Sequence, residues 1–150
     1  MTRRAVTAAA LALAFVVLSA PTSAQQVEHI NARSPADGNV PPFSGAVRVG
    51  DTVYLSGTLG LDPGQQVPAT AEAEARNVLN NIRNTLEAAG LTMDDLVRVQ
   101  VFCSDVSYYD AFNRVYRTFF TSEYPARAFI GSGTLLFGAR FEVQGIAVGG

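Results

Sequence analysis

The stretch Leu96-Val97-Arg98-Val99-Gln100-Val101-Phe102-Cys103 reads as a β-strand. Val97, Val99, Val101 and Cys103 alternate with Arg98, Gln100 and Phe102, and successive side chains on a strand point to opposite faces. Its flanks decide the fold, because a helix is expected on each side. Thr70 to Ala89 sets Ala71, Ala75, Val78, Leu79, Ile82, Leu86 and Ala89 on one face at three- and four-residue spacing. Thr70 suits the N-cap, Glu72 and Glu74 suit the positive end of the helix dipole, and Gly90 suits the C-terminal stop. Downstream, Ser107 is expected to cap a second helix with Asp110 at the capping-box position. Its apolar face is Tyr108, Ala111, Phe112, Val115, Tyr116 and Phe119; Asn113 sits among them and needs a partner there.

Further out, Ala46 to Val49 and Thr52 to Leu55 flank Gly50-Asp51, the signal of a two-residue hairpin turn. Gln25 to Pro42 is a polar, irregular lead-in with room for one short edge strand. Ala126 to Ile130 and Arg140 to Val148 supply two closing strands. The order ββ-α-β-α-ββ, with one wide apolar stripe per helix, predicts a single α+β domain with both helices on one face of a mixed sheet. The other sheet face carries Phe102, Ile146 and Val148 with no element to cover it, which predicts self-association.

Met1 to Ala24 has the form of an export leader. Arg3-Arg4 precedes the apolar run Ala5 to Leu18, and Thr22 and Ala24 suit cleavage before Gln25. The expected domains are therefore a signal peptide at 1–24 and a folded unit at 25–150, placed in the periplasm or outside the cell, with no membrane contact once the leader is removed. All 11 basic residues are arginine. Without the leader, nine arginines face 13 carboxylates, a net charge near −4. That balance argues against nucleic acid as a partner, since such binding needs a basic surface. Absence of lysine excludes Schiff-base and phosphate-loop lysine chemistry. One His, His29, and one Cys, Cys103, leave no zinc-ligand spacing, and the strand position of Cys103 makes it a small core residue. Arginine, carboxylate, backbone amides and water are what remains for chemistry.

Two charges stand inside the closing strands: Arg127, after Tyr124-Pro125-Ala126, and Glu142, within Phe141-Glu142-Val143. A charge in such a segment must be paired or hydrogen-bonded. The pair is either a structural ion pair or an anion clamp beside a proton-transfer group.

An ordered series of motifs bears on that choice: Pro42-Phe43-Ser44-Gly45-Ala46-Val47, Val53-Tyr54-Leu55-Ser56-Gly57, Gly60-Leu61-Asp62-Pro63, Val99-Gln100-Val101-Phe102, Asn113-Arg114-Val115-Tyr116, Pro125-Ala126-Arg127 and Phe141-Glu142-Val143. Taken in order from about Val27 to Val148, they resemble the RidA (YjgF-type) reactive-intermediate deaminase family. The resemblance implies a chorismate-mutase-like α+β fold and a homotrimer with ligand clefts between subunits. It implies hydrolysis of small 2-imino or enamine acids, of the 2-aminoacrylate or 2-iminobutyrate type, to 2-keto acid and ammonia without a cofactor. Arg127 would hold the substrate carboxylate and Glu142 would serve proton transfer or the attacking water. Phe43, Ser56, Gly57, Asn113 and Phe129 would line the substrate site, and no metal is implied. Phe43 stands where the family has Tyr, Phe129 where it has a small Cys or Thr, Leu136 where it has Pro and Gly45 where it has Gln, so the pocket wall is expected to differ. A non-catalytic carboxylate-binding trimer and an endoribonuclease are the alternative functions.

Overall fold

A computed structural model describes residues 25–149; the leader expected at 1–24 lies outside the described residues. The strands are β1 (Val27–Ile30), β2 (Ala46–Val49), β3 (Thr52–Leu59), β4 (Leu96–Cys103), β5 (Ala126–Gly131) and β6 (Phe141–Val148), with helices α1 (Ala71–Ala88) and α2 (Tyr109–Tyr116). They form one sheet in the order β1-β2-β3-β6-β4-β5. Among the described residues, only the β4–β5 pair is parallel. That pair requires a crossover, which α2 supplies, while the antiparallel pairs need no helix between them. The expected α+β layer, with both helices on one sheet face, is the fold observed.

Local signals account for most boundaries. Val49 pairs with Thr52 across Gly50-Asp51, and Gly50 has φ +60°, which glycine adopts without the penalty a side chain brings. Thr70 Oγ1 accepts from Ala73 N at 3.1 Å, so it is the N-cap of α1. The second helix begins differently from the expectation. Asp105, not Ser107, accepts the Ser107 amide at 2.8 Å and caps a 3-10 turn over Val106–Tyr108 that leads into α2. Asp110 makes no cap bond, because the chain is already helical when it reaches Tyr109.

Beneath the helices lies a core of Val53, Val78, Leu79, Leu86, Val101, Phe112, Phe141 and Val143, all less than 2% exposed. Cys103 is fully buried within it, and burial pushes its thiol above the ordinary range. Val97 departs from the alternation: it is 47% exposed while Leu96 is buried. A register shift between Leu96 and Arg98 inserts one residue against β6, and one extra residue reverses the faces of everything before it. Tyr54, Phe102, Ile146 and Val148 do lie on the face away from the helices. Arg98, Gln100 and Gln144 stand among them, so that face is mixed rather than purely apolar.

Candidate active site

Arg127 emerges from β5 on the helix side of the sheet. Its register partner is Val99, a core residue, and its side chain reaches α2. There Nη2 donates to Asn113 Oδ1 at 2.7 Å, which gives the buried Asn113 the partner it required. Its Cζ lies 4.5 Å from the centroid of the Tyr116 ring, and near 6 Å from those of Tyr109, Phe112 and Phe129. Such rings attract a cation through their quadrupoles and restrict its motion, so the guanidinium is held in place before any ligand arrives. It lines a cleft of about 240 Å³ with Tyr109, Asn113, Tyr116, Arg117 and Tyr124.

Phe129 is two residues further along the same strand face. It meets Tyr109 edge-on at 5.1 Å and Phe112 at 5.6 Å. Its ring is therefore a wall of the arginine's aromatic box, packed against the core.

Glu142 lies on the opposite face. Its neighbours Phe141 and Val143 are buried under the helices, so strand alternation turns Glu142 outward, level with Phe102 of β4. The β3 strand beside it is irregular: register shifts between Leu55 and Thr58, which places Gly57 against the carboxylate. A Cβ on Gly57 would overlap Glu142 Oε1, so only glycine leaves the carboxylate its position. Ser56 Oγ donates to Ser44 O at 2.7 Å and ties this bulge to the segment carrying Phe43. Phe43, Ser56, Gly57 and Glu142 line one open cleft of about 850 Å³, together with Arg33 and Phe137 among others.

The seven residues expected at the site thus fall into two groups. Phe43, Ser56, Gly57 and Glu142 form one; Arg127, Asn113 and Phe129 form the other. Within one chain Arg127 and Glu142 are on opposite faces of the sheet. Their rows, Val99–Arg127 and Phe102–Glu142, are three residues apart on β4, about 10 Å at ~3.3 Å per residue. They are not an ion pair.

The ion pair that does hold this region together is Glu74–Arg140. Glu74 is fully buried, and its carboxylate accepts from Arg140 Nη1 at 2.8 Å, Arg140 N at 2.6 Å and Phe141 N at 3.1 Å. Those amides immediately precede Glu142, so the pair anchors the start of β6. Gly60 packs against the same turn of α1, 2.9 Å from Val78 N if given a Cβ, and Asn77 and Asn81 bind the carbonyls of Gly60 and Leu59. The sequence reading missed Glu74, treating it as a helix-start charge. Its position three residues after Ala71 and four before Val78 puts it on the buried stripe, which is the signal that could have found it.

Comparison with known proteins gives the class to which this fold belongs. A family model described as Endoribonuclease L-PSP matches residues 35–149. The protein from Capra hircus named 2-iminobutanoate/2-iminopropanoate deaminase is 40% identical over 126 residues, covering 83% of this chain and 92% of that one. The human protein of that name is 33% identical over the same length and coverage. Among solved structures, RidA from Psychrobacter sp. PAMC 21119 is 33% identical with a TM-score of 0.69, covering 83% of this chain and 99% of that one. E. coli TdcF with bound serine is 29% identical with a TM-score of 0.71, covering 83% and 98%. This chain belongs to the RidA (YjgF, Endoribonuclease L-PSP) family.

Proposed function

We propose that this chain is a hydrolytic deaminase of small 2-imino and enamine carboxylic acids, acting in clefts formed where two copies of it meet in a homotrimer. The observation that carries this reading is the division of the site. A preorganised guanidinium and an outward carboxylate occupy opposite faces of one protomer, so they can face one another only across a subunit boundary. The mixed, uncovered sheet face supports such an assembly, and the relatives named as 2-iminobutanoate/2-iminopropanoate deaminases support the chemistry.

Arg127 takes the substrate carboxylate with parallel hydrogen bonds, which fixes the adjacent C=N carbon. An enamine first receives a proton at its terminal carbon while its nitrogen gives one up, which yields the imine. Glu142 then takes a proton from water as its oxygen attacks the imine carbon, and the nitrogen is protonated. The carbinolamine collapses to C=O as the C–N bond breaks and ammonia leaves. Serine bound to E. coli TdcF supports a small amino-acid-like ligand for this fold.

The test is keto-acid release from freshly generated 2-iminobutanoate by the purified 25–150 protein. Acceleration over buffer that disappears in Arg127→Ala and Glu142→Ala supports the reading. No acceleration, with ligand binding that still needs Arg127, would make it a carboxylate-binding trimer instead. RNA cleavage that requires both residues would make it the nuclease that the family description names.

We further propose that residues 1–24 direct export and are removed, on the strength of the sequence pattern. Mass spectrometry of the protein recovered outside the cytoplasm checks this; an intact Met1 in that fraction contradicts it.

A further inference from the structure

The Arg127 cleft contains more positive charge than a monocarboxylate requires. Arg117, the residue after the Tyr116 ring that supports Arg127, lines the same cleft, and no Asp or Glu lines it. Arg48, Arg83, Arg114 and Arg140 are each ion-paired to a glutamate, whereas among the described residues Arg33, Arg76, Arg98, Arg117 and Arg127 have no carboxylate within 4 Å; of these five, Arg117 and Arg127 share this cleft. In a domain with four more acids than bases, two arginines lining one cleft form a local positive field, which a single Glu142 carboxylate from a neighbouring copy would only half balance.

The remaining polar groups point the same way. Asn113 Oδ1 is occupied by Arg127, which leaves the amide N–H groups as its free function. Tyr116 is 4% exposed, and its hydroxyl is buried without a partner. Burial raises that phenol from the ordinary 10 to about 12, so at neutral pH it adds no negative charge beside the two arginines. Within one protomer this cleft is about 240 Å³, and on the deaminase reading the facing copy closes the rest of the site.

We propose that this cleft selects 2-imino acids with a second, distal carboxylate, Arg127 holding the carboxylate beside the imine and Arg117 the far one. The proposal rests on the deaminase reading for its chemistry, but its selectivity can be read by binding alone. Arg117 also stands at the C-terminal end of α2, where a cation suits the helix dipole in any case. A residue serving only that role would not distinguish one ligand from another.

The experiment is calorimetric binding of two stable product-type keto acids, 2-oxoglutarate and 2-oxobutanoate, to wild type, Arg117→Ala and Arg117→Lys, alongside hydrolysis of the two corresponding imino acids. Wild type should favour the dicarboxylate by about tenfold, the scale of one added charged hydrogen bond at a partly exposed site. Arg117→Ala should abolish the preference, and Arg117→Lys should restore part of it. Equal binding in wild type, or a ratio unchanged in Arg117→Ala, overturns the proposal. So does binding of neither keto acid by protein that hydrolyses 2-iminobutanoate, which leaves the deaminase reading standing. A binding preference that depends on Arg117, with neither imine hydrolysed faster than in buffer, has the opposite meaning: selectivity stands and deaminase chemistry falls.

Discussion

Replacing Glu74 by alanine removes the carboxylate on which three donors converge. Arg140 N and Phe141 N lose their acceptor in the core, and Arg140 Nη1 loses its ion-pair partner. Breaking a buried pair by deleting one member costs roughly 3–5 kcal/mol, because the surviving charge is left uncompensated. Here the lower end applies. Arg140 is 21% exposed at its side chain and keeps a 2.9 Å bond to Pro68 O, so water and that carbonyl relieve part of the penalty. About 3 kcal/mol in a domain of this size corresponds to a fall in Tm of roughly 10 °C. Glu74→Gln retains an oxygen for the two amides but sets an N–H2 group against the guanidinium, so its loss should be about half as large. Urea unfolding at one fixed protein concentration measures both variants, since assembly makes stability concentration-dependent. A Glu74→Ala loss below about 1 kcal/mol with an unchanged m-value would refute the assignment of this pair as the anchor of β6.

Gly57→Ala should leave the fold intact and reduce kcat by at least tenfold, because the new Cβ displaces the Glu142 carboxylate; a circular-dichroism spectrum like wild type with full activity would contradict this. Arg127→Lys keeps the charge but loses the planar stack on Tyr116 and the parallel bonds to a carboxylate, so kcat/KM should fall by roughly 1.5–3 kcal/mol, or ten- to a hundredfold. Tyr116 has its folded pKa raised above the unfolded one, so its contribution to stability is complete below pH 10 and is lost as pH rises from 10 to about 12. Ultraviolet titration should show one phenol ionising late, and that late step should vanish in Tyr116→Phe. Cys103, buried with a raised pKa, should resist thiol reagents at neutral pH until the protein is unfolded.

The elements were legible because their signals are local. Three- and four-residue spacing specified α1, the Gly50-Asp51 dipeptide specified the first hairpin, and alternation specified β4 from Val99 onward. The bulge at Leu96–Arg98 was not legible, since it depends on how β4 meets β6 rather than on either strand alone. The seven residues proposed for the site were singled out through an ordered series of motifs spanning the chain. Their separation into two groups on opposite sheet faces was not legible, although the parity of Glu142 between two core residues already turned it away from the helices. Whether Arg127 shared that face depended on the parallel register of β5 against β4, a contact made through the α2 crossover. Glu74 stayed hidden for another reason: a glutamate in the first turn of a helix is satisfied by the dipole, so nothing local requires a partner 66 residues away.

If Arg127 and Glu142 of different copies complete one site, two inactive variants can repair each other. Arg127→Ala and Glu142→Ala protein, unfolded together in equal amounts and refolded, should assemble at random. Each cleft then receives an intact Arg127 from one neighbour and an intact Glu142 from the other about one time in four, as the head-to-tail symmetry of a ring dictates. Recovery of about a quarter of the activity of wild type treated identically is the predicted result. No recovery from the mixture, with wild type fully restored and mixed assemblies demonstrated by mass, would place both residues in a site within one chain and contradict the shared cleft.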